Sequence, residues 1–229
     1  MLAIWSGEVV YEEALHWQRL LVAARADDAI DDVLLTLTHD PVYTAGRHAD
    51  LARNVIADTG VRIVEVERGG DVTYHGPGQL VAYPIRKLVD SKAVRAHVDA
   101  LVSACMAVAA SYGLPARADR RRPGVWVGND KLAAVGVRVT QRVTSHGLAF
   151  NVDPDLDEFR GGIIPCGIPD AGVCSLRSLG VDTTLTEVRR RLTACLGDAF
   201  GVTLQPATPA DLGLTVDTHV SLTDTQPLT

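Results

Sequence analysis

The residues best placed for chemistry in this 229-residue chain are a cysteine, a lysine and two histidines. Cys166 lies in Ile164-Pro165-Cys166-Gly167-Ile168-Pro169, where proline and glycine put the thiol on a constrained loop and not on a helix face. Such a thiol can be partly exposed, and it becomes a nucleophile when nearby positive charge or dipoles lower its pKa. The competing reading is a small hydrophobe filling a loop gap, the more common fate of a lone loop cysteine. Lys131 opens the apolar run KLAAVGVRV. A lysine at a strand end is usually solvated, but one held in a partly dry pocket titrates low and can stabilise a thiolate or take its proton. Spacing alone cannot join Lys131 to Cys166; the fold must do that.

Two further segments frame them. Residues 68–79, RGGDVTYHGPGQ, hold five Gly or Pro residues, with His75 in their midst. Glycines in such density let backbone approach a ligand and aim N–H groups at it. The alternative is a tight strand connection carrying a surface histidine. In Ser145-His146-Gly147-Leu148-Ala149, His146 can pair with Cys166 as in papain-like enzymes, or serve as a structural histidine. These histidines and the loop cysteines Cys166 and Cys174 match no compact zinc spacing, so no metal is expected. Cys105 and Cys195 fall in apolar helical patterns and read as buried and inert, and no C-x-x-C pair or disulfide framework is present. A basic stretch from Arg117 to Arg122 stands out on an acidic chain. It reads as a solvated loop or as a patch steering an acidic protein partner.

These groups need a scaffold. Residues 11–26 read as a helix, 33–38, 61–66 and 80–85 as strands, and 92–112 as the clearest helix. Residues 124–127, 132–139 and 145–152 read as strands, with a tight turn at Gly128-Asn129-Asp130 that sets Lys131 at a strand start. A last helix covers 185–200, with Thr184 and Glu187 as a capping box and Gly201 as its stop. The sum is one α/β (α+β) domain with a mixed, largely antiparallel sheet flanked by helices. The segment from Pro206, rich in Thr, Pro and Asp, reads as a loose tail, giving a domain over residues 1–205 and a tail over 206–229.

Composition narrows the function classes. Hydrophobic residues make up 47% and charged residues 22%, ordinary for a globular domain. A net charge of -6 argues against nucleic-acid binding, which usually needs a basic surface. No apolar run approaches the roughly 20 residues needed to cross a bilayer, and the N-terminus lacks the pattern of a signal peptide. A cytoplasmic protein without membrane contact is expected, and a monomer, because no exposed apolar helix asks for a partner.

Taken together, RGGDVTYHGPGQL, GVWV with KLAAVGVRV, HGLAFNV and PCGI resemble, in order and near spacing, the lipoyl(octanoyl) transferase family. The resemblance runs over residues 11–200 and implies the fold of the biotin and lipoate protein ligase catalytic domain. It implies transfer of an octanoyl group from octanoyl-acyl carrier protein to a lysine of lipoyl domains, in 2-oxoacid dehydrogenase E2 subunits and the glycine cleavage H protein, as the first step of protein lipoylation. It implies Cys166 as the acyl-accepting cysteine and Lys131 as its partner. Arg68, Gly69, Gly70, Asp71, Val72, Thr73, Tyr74 and His75 match the substrate loop, and Ala134, Val135, Gly136, Gly147, Leu148 and Ala149 match two further walls. The donor is already an activated thioester, so no cofactor or ATP is required. Two departures stand out. The stretch 159–164 is about one residue longer than usual, which puts strict octanoyl preference in doubt, and Cys174 stands where a small residue such as threonine is expected, near enough in sequence to suggest a disulfide with Cys166 under oxidation. The rival readings are an ATP-dependent lipoate or biotin ligase, an octanoyl or lipoyl amidotransferase, and a non-catalytic lipoyl-domain-binding module.

Overall fold

The computed structural model describes residues 1–90, 92–119, 124–164 and 171–214. Its frame is a nine-stranded sheet. Strand β1 (Leu2–Glu8) is parallel to β2 (Val33–Thr38), which is followed across the sheet by β6 (Gln79–Ile85), β10 (Val143–Asn151), β9 (Asp130–Thr140), β8 (Val125–Val127) and β7 (Ala116–Ala118). Along this path from β2 to β7 each successive pair is antiparallel, which matches the expected mixed and largely antiparallel sheet. A smaller three-stranded sheet sets β3 (Val42–Ala45) between β4 (Ile63–Glu65) and β5 (Val72–His75).

The central strands are buried on both faces, so they read as continuous apolar runs without polar alternation. Side chains still alternate between faces. On β2, β6 and β10, Leu34, Leu80, Ala82, Leu148 and Phe150 enter one core, together with α3 (Ala93–Ala110) and α5 (Leu185–Phe200). Their neighbours Leu35, Val81, Tyr83 and Ala149 enter a second core beneath α1 (Tyr11–Ala26), built around Trp17 and Leu21. Thus α1 covers one face of the sheet, and α3 with α5 covers the other. Helix α3 is long and apolar enough to cross a membrane by length and composition alone, but here its apolar stripe, Leu101, Cys105 and Val108, packs inward.

The ends of the elements follow their caps. Thr184 Oγ1 accepts from the Glu187 N–H at 3.2 Å to start α5, and Gly201 ends it in a left-handed conformation. The loose tail expected from Pro206 is corrected over its first part. Strand β12 (Gln205–Ala207) pairs in parallel with β1, and Leu214 is buried against the α1 core. Pro206 is compatible with this because β12 is an edge strand, where a missing N–H leaves no ladder bond unmade on the open side.

Candidate active site

The glycine-rich stretch crosses above β9. The Gly69 N–H donates to the Val137 carbonyl at 3.0 Å, and a side chain at Gly136 would place its Cβ 2.9 Å from the Gly69 oxygen. Glycine at 136 is therefore what lets the loop lie on the strand. From the other side, the N–H groups of Arg47 and His48 donate to the carbonyls of Arg68 and Gly70 at 3.0 and 3.2 Å. Arg68 is buried, and its guanidinium is rooted in Thr44, donating to the Thr44 carbonyl at 2.7 Å and to Thr44 Oγ1 at 2.8 Å. It is a fixed positive charge under the loop. Asp71 locks the turn into β5, accepting from the Val72 N–H and from Asn54 Nδ2, each at 2.7 Å.

Beneath this loop lies a cavity of about 500 Å³. Its roof is Arg68, Gly69, Gly70, Asp71, Val72 and Thr73, and His75 also lines it. One wall is Ala134, Val135 and Gly136 on β9; the next is Gly147, Leu148 and Ala149 on β10, paired residue for residue with the first. Lys131 also lines it. The structure thus brings together Lys131 and every expected substrate-binding residue except Tyr74. Tyr74 does not line the cavity: its hydroxyl donates to the Glu158 carboxylate and its ring packs on Phe159 and Tyr43.

Lys131 is 3% exposed, with its ammonium 4.7 Å from the centre of the Trp126 ring. This is no solvated strand end. The turn at Gly128 and Asn129 starts β9 at Asp130, and Lys131 then has Trp126 of β8 on one side and Val173 of the short strand β11 (Gly172–Val173) on the other. Residues 165–170, and Cys166 with them, lie outside the described residues, as do Arg120, Arg121 and Arg122. The flanks are described. Ile163 bridges Val55, the Ile164 N–H donates to the Asn54 carbonyl at 2.8 Å, and the chain from Ala171 joins Lys131 through β11.

Burial and nearby positive charge disfavour the protonated forms of His75 and His146. Burial, then the positive charge of Arg68, Arg138 and Arg19, pushes His146 down to about 3. Burial, with His39 and Arg68 adding to it, holds His75 well below the usual histidine range. A papain-like role needs His146 to hold a proton beside a thiolate at neutral pH, and its burial near these arginines disfavours that form. His146 is instead built in. Its backbone sits at φ +56, a left-handed conformation uncommon outside glycine, and its N–H donates to Gln18 Oε1 at 2.7 Å. Cys174 is buried in the core, its Sγ 3.6 Å from the Asp130 carbonyl, and burial pushes its thiol up to about 12. Among the described residues no group of histidine, cysteine and acidic side chains is arranged to hold a metal ion.

The cavity also has walls that the sequence did not point to. Tyr11, His48, Tyr83 and Val137 line it, beside the expected His146. Tyr11 and Tyr83 carried a weak signal, as polar-tipped rings at otherwise apolar positions of α1 and β6. Behind them His39 is held between the Val9 carbonyl and the Tyr83 hydroxyl, each at 2.8 Å, an arrangement no local pattern announces.

A family model described as the lipoyl protein ligase A/B catalytic domain matches residues 10–197. An octanoyltransferase of Acidothermus cellulolyticus is 44% identical over 212 residues, covering 90% of this chain and 92% of that protein. A mitochondrial octanoyltransferase of Arabidopsis thaliana is 40% identical over 210 residues, covering 87% and 88%. Among solved structures, a lipoate protein ligase of T. acidophilum with bound lipoic acid superposes with a TM-score of 0.73 at 16% identity, covering 90% of this chain and 88% of that one. At that identity the likeness speaks for the fold.

Proposed function

From the premise that the chain belongs to the lipoyl protein ligase A/B catalytic domain family, we propose that it transfers an octanoyl group in protein lipoylation, through a thioester on Cys166. The observation that carries this reading is Lys131, buried on the wall of a largely apolar cavity and paired with the strand that follows the Cys166 loop. The relatives named octanoyltransferase supply the acyl group. The donor is octanoyl-acyl carrier protein, and the acceptors are lipoyl domains.

The chemistry needs two exchanges at one carbonyl carbon. The Cys166 thiolate, paired with the Lys131 ammonium, attacks the donor thioester, a new C–S bond forms, the old one breaks, and the leaving carrier thiolate takes its proton from Lys131, which is left as the neutral amine. The acceptor lysine amine then attacks octanoyl-Cys166, a C–N bond forms, and the Cys166 thiolate is released. Lys131 is the group suited to stabilise that thiolate and to take the amine's proton. Backbone N–H groups of the roof are the candidates to meet the oxyanion. Leu148, Val135 and the alanines beside them cover the alkyl chain.

The test is intact mass after incubation with octanoyl-acyl carrier protein and no ATP. One octanoyl group mapped to Cys166, chased onto a lipoyl domain and absent in Cys166→Ala, is the expected result. Full transfer by Cys166→Ala, or an absolute need for ATP with pyrophosphate release, overturns it.

A further inference from the structure

A chain of amide side chains runs from the cavity to the backbone that holds Lys131, and its directions can be read from fixed ends. Asn151 Nδ2 lies 2.9 Å from the Cys174 carbonyl and 3.4 Å from the Lys131 carbonyl. Backbone carbonyls only accept, so this atom is the amide nitrogen and Asn151 Oδ1 is left to accept. Gln79 Nε2 fills that role at 3.0 Å, and donates also to the Tyr74 carbonyl at 3.2 Å. Gln79 Oε1 must then accept, and its partner is His75 Nδ1 at 2.7 Å. The proton of neutral His75 is therefore on Nδ1. Its other ring nitrogen, Nε2, carries a lone pair, and among the described residues no donor meets it.

All three side chains are buried, and each replaces what apolar neighbours would do more cheaply in a core. Gln79 heads β6, which is buried throughout, and Asn151 ends β10, which is buried but for Ser145. Tyr11 stacks on the His75 ring at 5.8 Å and His39 meets its edge at 5.6 Å, so the ring is held in place as well as in tautomer.

We propose that Gln79 and Asn151 are positioning residues that keep His75 in the Nδ1–H form, so that its Nε2 lone pair accepts a hydrogen bond from the amine of the incoming acceptor lysine. The inference rests on the transfer reaction above and deepens it. His75 orients the nucleophile; it does not store the proton, because its burial beside Arg68 keeps it neutral. The same relay ends on the carbonyls of Lys131 and Cys174, so nucleophile guide and proton acceptor are set by one set of hydrogen bonds.

The experiment uses the full chain with 15N-labelled histidine. Long-range 1H–15N spectra at pH 7 should show His75 protonated at Nδ1 and bare at Nε2. Gln79→Met removes the acceptor, and the proton should move to Nε2. In the same variant, the chase of preformed octanoyl-Cys166 onto a lipoyl domain should slow at least tenfold. Gln79→Glu, which restores an acceptor, should return the Nδ1–H signal and part of the rate. A wild-type His75 protonated at Nε2 overturns the proposal with no variant needed. So does a tautomer change in Gln79→Met that leaves the chase rate intact, or a slowed chase with the tautomer unmoved. A wild-type enzyme that never forms octanoyl-Cys166 refutes the transfer reaction instead, and the mass measurement reads that separately.

Discussion

The Cys174 N–H donates to the Lys131 carbonyl at 3.0 Å. This one bond, with the pairing of Val173 to Lys131, fastens the chain that follows the Cys166 loop to the strand carrying the buried lysine.

Removing the lysine should be felt first at the thiol. In Lys131→Ala, iodoacetamide alkylation of Cys166 at pH 7 should slow about tenfold, since an opposite charge nearby typically lowers a pKa by one unit or more. Alkylation of Cys174 should stay slow in both proteins, because burial holds it as the thiol. An unchanged Cys166 rate in Lys131→Ala would separate the two residues.

The roof depends on Gly136. In Gly136→Ala the new Cβ stands 2.9 Å from the Gly69 oxygen, a backbone atom that can move only with its loop. The expected cost is about 1–3 kcal/mol, typical of overpacking. Amide exchange at Gly69, whose N–H is bonded to Val137, should quicken more than exchange in α5. Equal protection at Gly69 in both proteins would show that the loop does not rest on this strand.

Much of this scaffold was legible in the sequence, and the exceptions have physical causes. Helices over residues 11–26 and 185–200 and the strand over 33–38 appear at the expected bounds, because each carries a long apolar stripe or run between clear stops. Strands β1, β3 and β5 were missed. Strands β3 and β5 are only four residues long, and β1 has partners, β2 and β12, on either side that lie far along the chain. Strand β5 lies inside the glycine-rich segment that reads locally as a loop. The walls of the cavity were visible as motifs, but the orientation of Tyr74 was not, because a motif names residues without their faces. The His75–Gln79–Asn151 relay spans three strands, and only the sheet register brings Asn151 to Gln79.

The cavity should measure the acyl chain. Each buried methylene contributes about 0.8 kcal/mol, or roughly fourfold. A hexanoyl donor, two methylenes shorter, should therefore have kcat/KM about fifteenfold below the octanoyl donor. Ala134→Val, on the wall beside Ala149, should narrow that gap by penalising the longer chain. A flat series from hexanoyl to octanoyl would mean that the chain is not held here.

Stability should fall as pH drops below about 6.5, and His97 offers a way to isolate one contribution. Burial holds His39 and His97 at about 4 and His146 at about 3, with His75 also well below its usual range. Between these values and 6.5 the unfolded chain binds protons that the folded one does not, so stability rises with pH across that window. Each such histidine contributes roughly 1.4 kcal/mol per pH unit there. His97 stacks on Phe200 with ring centres 5.4 Å apart, and neither ring nitrogen has a partner among the described residues. Arg86, which also covers Phe200, opposes its protonation, and Asp32 offsets this only in part. Replacing it with an apolar side chain removes a buried polar group that makes no hydrogen bond, which costs little or stabilises at pH 7. His97→Leu should thus match or exceed wild type in urea at pH 7, retain its transfer activity, and lose less stability between pH 6 and 5, by about 1.4 kcal/mol. An identical pH dependence in the two proteins would show that His97 titrates alike in the folded and unfolded chain.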